Sequence, residues 1–132
     1  QMDKIDLFLD ARKSMVRVYD KAFKDIPNIT PLQAYGRDNS SHHIYVVSID
    51  FDKAGVTRHQ FMEKLAEQGV GSQVHYIPVV SQPYYQELGY KIQQYSITDA
   101  YYQSTLSIPL YYGLSDVDQR LVISSIRKLL GK

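Results

Sequence analysis

Cysteine is absent from the 132 residues, and tryptophan with it. The first absence excludes disulfides, thiolate zinc sites and cysteine nucleophiles together, and it is compatible with a cytoplasmic protein without fixing the compartment. Charge imbalance is missing too. The formal net charge is +1 with both signs interspersed, which makes no electrostatic case for nucleic acid, because proteins that bind it carry a basic patch. No apolar run is long enough to span a bilayer, and no signal-peptide pattern is present. There is no internal repeat and no low-complexity segment. What remains is an ordinary globular composition, 44% hydrophobic, at a length that suits one domain. A chain of this size can bury roughly two thirds of its unfolded surface, enough for one core without staples.

Charge is also scarce locally. Residues 70–112 hold only Glu87, Lys91 and Asp99 as charged side chains, yet nine of the twelve Tyr fall between Tyr76 and Tyr112. Tyr has an apolar body and a polar tip and suits a surface half buried against something else. Low charge with many Tyr is also how interface cores read. The composition therefore favours an interface or ligand wall over a loop-rich core whose phenols find backbone partners.

Asp3 and Asp6 suit the positive end of a helix. Ile5, Leu9, Val16, Tyr19 and Phe23 then recur along one helical face. Pro27 ends the helix, because the residue before proline is pushed out of the helical region. This helix starts without a lead-in, and Gln1 is not an initiator methionine. The chain is therefore expected to be a fragment, a single small domain over 1–132 with residues 1–26 as a connecting helix and 32–132 as a sheet-and-helix body.

Leu32 to Gly36 is predicted as a short strand, Arg37 to Ser41 as a polar turn, and His42 to Phe51 as the clearest strand. Tyr45, Val47, Ile49 and Phe51 form its apolar face. Val56 to Phe61 reads as a helix start: Thr57 caps Gln60, Gln60 reaches back, and Val56 staples onto Phe61. Phe61, Met62, Leu65 and Ala66 form the apolar face of that helix, and Gly69 ends it in a left-handed turn. A strand is expected from Val70 to Tyr76, with Val70, Ser72, Val74 and Tyr76 on one face and Gly71, Gln73 and His75 on the other.

Tyr84 to Leu88 reads as a helical turn closed at Gly89. Thr98 and Asp99 are expected to cap a helix running through Ala100, Tyr101 and Thr105. Leu106 to Pro109 reads as a short strand and Leu110 to Gly113 as a turn. The last helix has Ser115 as cap, Asp116 and Asp118 in its first turn, and Val117, Leu121, Val122, Ile126 and Leu129 as its buried face. Arg127 and Lys128 lie near its end, with Gly131 after it. Three or four strands among about four helices point to a small sheet with helices packed mainly on one face, an α/β or α+β sandwich.

Motifs that carry chemistry are sparse. Gly69-Val70-Gly71-Ser72-Gln73-Val74 imitates a dinucleotide fingerprint, but its sixth position is Val74, and its glycines leave a helix and enter a strand. Phosphate prefers the opposite, positive end of a helix, so the glycines read as a helix stop. His59 lies in the first turn of a capped helix and is expected to be solvated. His42 and His43 are adjacent and point to opposite faces, which is poor metal geometry. His75 shares the less apolar face of its strand with Gln73, where a satisfied structural histidine and a site residue are both open readings. There is no HExxH and no recognisable Ser/His/Asp grouping. From the residues alone, nothing makes an enzyme.

Several pieces taken together do carry a resemblance. The run Gly69-Val70-Gly71-Ser72-Gln73-Val74-His75-Tyr76-Ile77-Pro78, then Gln82-Pro83-Tyr84-Tyr85 and Gly89-Tyr90, resembles the C-terminal part of the pyridoxal-phosphate-dependent sugar aminotransferases of the DegT/DnrJ/EryC/StrS group. Gln1 to Asp6 with Ala11-Arg12-Lys13 resembles the helix that leaves that family's large domain. His43-Ile44-Tyr45-Val46 resembles its first small-domain strand, and Arg58 with Phe61 and Leu65 the helix after it. Leu106-Ser107-Ile108-Pro109-Leu110-Tyr111, with Leu114-Ser115 and Asp118-Gln119, resembles its closing segment. The wording around His75 is most similar to members that aminate UDP-linked 4-keto-6-deoxy-N-acetyl-hexosamines, as in pseudaminic acid synthesis. Val80 stands where many members carry a second histidine.

The resemblance implies the C-terminal small domain of a fold-type I enzyme. Its parent protein would transfer an amino group, usually from glutamate, through pyridoxamine phosphate to the keto carbon of a nucleotide-linked sugar. The cofactor supplies the electron sink and the protein a Schiff-base lysine. In this family that lysine lies in the large domain, and none of the nine lysines here stands in its motif. No catalytic residue, no metal and no cofactor bound to this fragment are therefore expected. The implied substrate wall is His75 and Tyr76, with Gln73 and Tyr85 behind them. The implied partners are the large domain, a second subunit, the nucleotide sugar and glutamate, in the cytoplasm. Two functions follow: a severed enzyme domain without activity of its own, or a free-standing module that binds sugar nucleotides or another protein.

Overall fold

The computed structural model describes residues 2–32 and 39–131. A single turn of 3-10 helix, Met2–Lys4, leads into α1, Ile5–Phe23. Then come β1 (Ile29–Pro31), β2 (Tyr45–Ile49), α2 (Phe51–Ala54), α3 (Arg58–Glu67), α4 (Pro83–Glu87), α5 (Ser96–Ser104), β3 (Thr105–Ile108) and α6 (Asp116–Leu129). The described strands form one antiparallel sheet in the order β1-β2-β3. Ile29 faces Ile49, Pro31 faces Val47, and Val47 in turn faces Leu106. The α+β architecture, a three-stranded sheet with helices packed mainly on one face, is the one the sequence predicts.

The two faces of the sheet differ because side chains alternate along a strand. Ile29, Tyr45, Val47, Ile49, Leu106 and Ile108 form the core face and cluster with Val16, Tyr19 and Phe23 of α1, Phe61 and Leu65 of α3, and Val122 and Ile126 of α6. Full burial of Phe61 or Leu65 contributes about 1.5–3 kcal/mol each relative to exposure. The register puts Thr30, Ser48 and Thr105 in one row of the other face, with Val46 and Ser107 beside them. That face is polar, and it carries the candidate site at its β3 edge.

Local chemistry explains where the elements stop. The α3 start is a full capping box: Gln60 N donates to Thr57 Oγ1 at 3.2 Å, and Thr57 N donates to Gln60 Oε1 at 2.9 Å. Its end is a Schellman motif, in which Gly69 N donates to Ala66 O and Val70 N to Leu65 O, both at 2.9 Å. Gly69 takes φ +78°, where a Cβ is disfavoured. Val70 and Leu65 are both buried and supply the apolar contact that accompanies this motif.

Several expectations are corrected. The clearest strand is shorter than His42 to Phe51. His42 has φ 47°, outside the extended region, and Asp50 accepts from Lys53 N at 3.0 Å, starting α2 at Phe51. Phe51 remains in the core from its helical position. The first strand begins at Ile29, earlier than Leu32, and the rest of the predicted Leu32–Gly36 strand lies outside the described residues, as do Arg37 and Asp38 of the predicted turn. Helix α5 starts at Ser96 with Thr98 inside it, and Thr105 already belongs to β3.

On α6 the buried face includes Val122 and Ile126 but also Gln119 and Ser125, while Val117 and Leu121 are exposed. Val117 lies roughly 200° around the helix from Gln119, and Gln119 is drawn inward because its Nε2 donates to Met15 O at 2.8 Å. Likewise Ile5 on α1 and Ala66 on α3 are exposed, although both fall on predicted apolar faces.

Candidate functional site

The predicted strand from Val70 to Tyr76 is reduced to one bridge. Val70 spends its amide on closing α3, so the segment can join the sheet only beyond it. There Gln73 N donates to Ser107 O at 3.0 Å and Ser107 N donates back to Gln73 O at 2.7 Å. This bridge lays the segment against the free edge of β3. His75 follows two residues later, on the same side as the polar sheet face. Its Nδ1 is 2.8 Å from Ser107 Oγ. The peptide bond between His75 and Tyr76 is cis, and the two rings meet edge to face at 4.7 Å.

A hollow of about 270 Å³ opens here, lined by Ile44, Gly71, Ser72, Gln73, His75, Ser107, Ile108, Pro109 and Leu110. Its mixture of apolar walls and a few polar groups is that of a small-molecule pocket wall. Pro109, on its rim, is held from the core side: the buried Tyr19 donates its hydroxyl to Pro109 O at 2.8 Å. Burial, with Tyr111 nearby, pushes the Tyr19 phenol far above its ordinary range. That hydroxyl therefore remains a donor.

The four predicted site residues fall into three places. Gln73 and His75 line the hollow together. Tyr76 touches the His75 ring but is 76% exposed. Tyr85 is on α4, in a separate aromatic group with Tyr84 and Tyr90 at ring distances of 5.4 and 6.1 Å. Ser107, which the sequence reading singled out only as part of the closing segment, turns out to be the anchor of both Gln73 and His75. The signal for it was the Leu106–Tyr111 run itself.

The Tyr-rich stretch is not a loop-rich core. None of residues 79–104 is buried, and Tyr76, Tyr84, Tyr85, Tyr90, Tyr95, Tyr101, Tyr111 and Tyr112 are all exposed. A larger hollow of about 670 Å³ lies between α5, the β1–β2 end of the sheet and the start of α3. Asp50, Thr57 and Arg58 in its wall are already engaged. Asp50 binds Lys53 Nζ at 2.8 Å, Thr57 caps α3, and Arg58 donates to Tyr102 O with its guanidinium 4.4 Å from the centre of that ring. It reads as a structural seam, so the smaller hollow is the better candidate.

His59 is solvated as expected, at 82% side-chain exposure beside Glu63. Among the described residues there is no group of three metal-ligating side chains and no helix long and apolar enough to cross a membrane.

This fold superposes on part of solved sugar aminotransferases. Helicobacter pylori PseC, an aminotransferase involved in the biosynthesis of pseudoaminic acid, superposes with a TM-score of 0.84 at 26% identity over 99% of this chain and 35% of that one. Residues 1–127 match the DegT/DnrJ/EryC1/StrS aminotransferase family, and the chain belongs to it. It is 38% identical to the spore coat polysaccharide biosynthesis protein SpsC of Bacillus subtilis, over 98% of this chain and 34% of that protein. It is 28% identical to the UDP-4-amino-4,6-dideoxy-N-acetyl-beta-L-altrosamine transaminase of Campylobacter jejuni, over 100% of this chain and 35% of that protein. The chain thus spans about a third of the length of the relatives it matches.

Homologous aminotransferases depend on pyridoxal phosphate, and solved relatives include PLP and PMP forms. The residues of the candidate site do not fit that cofactor. Its lining contains no lysine for a Schiff base and no carboxylate to face a pyridine nitrogen. No step of transamination is derived from these side chains.

Proposed function

We propose that this chain acts as the C-terminal small domain of a longer aminotransferase that aminates a nucleotide-linked 4-keto-6-deoxy sugar for surface amino-sugar synthesis. The observation that carries this reading is the match across residues 1–127 to the aminotransferase family at about a third of its relatives' length. The names of the Campylobacter jejuni and Helicobacter pylori relatives support the substrate class. In this reading the lysine, the cofactor phosphate site and the acid facing the pyridine ring belong to a large domain. His75 and Gln73 form one wall of the sugar-nucleotide pocket, with Tyr76 and Tyr85 reaching from the exposed segment. Glutamate is the amino donor, and the working enzyme is a cytoplasmic homodimer whose sites are shared between subunits. The exposed Tyr-rich surface is the kind that such partners cover.

The chain by itself is then inactive, because a pocket wall without its opposite side retains little affinity. Adding pyridoxal phosphate to the purified chain is expected to give no visible protein-bound cofactor band and no lysine trapped by borohydride. A band with trapping at a single lysine would refute the reading. Calorimetry with UDP-N-acetyl-hexosamines separates the alternative of a free-standing binding module: heat lost on His75→Ala would favour it.

A further inference from the structure

We propose that Ser107 is a positioning residue for His75. It donates its hydroxyl hydrogen to Nδ1 and so holds the imidazole in the tautomer that carries its hydrogen on Nε2. The ring's other nitrogen is then an N–H donor, suited to the acceptor oxygens of a nucleotide sugar. This rests on His75 being a wall residue, as proposed above.

The direction of the hydrogen bond follows from satisfying buried groups. Ser107 is only 6% exposed. Its backbone is pinned at the sheet edge, with its N–H and its carbonyl both bonded to Gln73. Its Oγ therefore has a fixed origin on the polar face of β3. Among the described residues, the group within hydrogen-bond reach of that oxygen is His75 Nδ1, at 2.8 Å. A hydroxyl can donate or accept. If Nδ1–H donated to Ser107, the serine's own hydrogen would be left with no protein acceptor among the described residues, an arrangement that a largely buried hydroxyl avoids. If Ser107 donates, both atoms are satisfied. A hydrogen bond at one ring nitrogen sets the state of the other, so the neutral ring must carry its proton on Nε2. The same bond fixes the ring plane against β3, a rigid element, while the adjoining Tyr76 is left exposed.

The test is a long-range proton–nitrogen correlation spectrum of the chain labelled with 15N-histidine, recorded at about pH 9, where ordinary imidazoles are neutral. The exposed His43 serves as the internal reference. His75 is expected to show the Nε2–H pattern with an excess over the other tautomer roughly two- to tenfold larger than at His43. Ser107→Ala should return His75 to the His43 pattern, and Ser107→Thr should restore the excess. An Nδ1–H pattern at His75 overturns the proposal. So does a Ser107→Ala variant that stays folded by its amide spectrum with the His75 pattern unchanged. Should Ser107→Ala not fold, the wild-type pattern decides alone. No ligand is used, so failure here is separate from failure of the pocket-wall reading, which would appear as intact sugar-nucleotide binding by the full-length enzyme carrying His75→Ala.

Discussion

Tyr19→Phe tests how the core holds the rim of the site. The Tyr19 ring is fully buried, stacked on Phe23 at 5.8 Å and tilted against Tyr45 at 4.9 Å. Phe keeps that packing and removes only the hydroxyl that donates to Pro109 O. At pH 7 the loss is one neutral hydrogen bond, about 0.5–1.5 kcal/mol. The alkaline side carries the sharper signal. The folded-state phenol titrates far above its ordinary 10.0 because burial opposes the phenolate. A raised pKa means that the stabilisation is complete below pH 10 and is lost as the pH climbs toward the folded value. The wild type therefore loses about 1.4 kcal/mol per pH unit in that range from this group, and the variant loses none of it. Urea unfolding at pH 7 and at steps up to about pH 11 should show the variant less stable at first and the gap closed near the top of the range. Two stability curves that stay parallel would refute the argument, and a deficit above about 3 kcal/mol at pH 7 would mean that the ring itself had moved.

Thr57→Ala removes one half of the α3 capping box and should lower stability by about 1 kcal/mol in urea or thermal unfolding, with Thr57→Ser recovering most of it. Leu65→Ala, at a fully buried position on the same helix, should cost about 2–5 kcal/mol in urea unfolding; a loss under 1 kcal/mol would contradict the core described above. Lys53 holds the Asp50 carboxyl below its ordinary 3.8 through hydrogen bonds and charge. Its small, solvent-screened contribution is present above about pH 4 and disappears on further acidification, so Asp50→Asn should flatten the acid limb of the stability curve, most visibly at low salt.

What could be read without coordinates was whatever depends on neighbours in the chain. The Thr57–Gln60 box, the Gly69 stop and the Ser115 cap are decided within a few residues, and all three are found as predicted. The alternation of Tyr45, Val47 and Ile49 identified the core face of β2, since a period of two leaves no other assignment. Family membership was legible for a related reason: ordered wording such as the His75–Pro78 and Leu106–Tyr111 runs survives in the chain whatever the packing. Tertiary structure decided the rest. Gln119 displaced Val117 and Leu121 from the buried face because a carbonyl on another helix, Met15 O, was there to receive its amide. Val70 to Tyr76 lost its strand because the Val70 amide closed α3 first. His75 acquired a partner 32 positions away, a distance that no local pattern encodes. Side-chain type left His75 open between a structural and a site role; the pairing of Gln73 with Ser107 across the sheet edge is what brings its ring to the Ser107 hydroxyl.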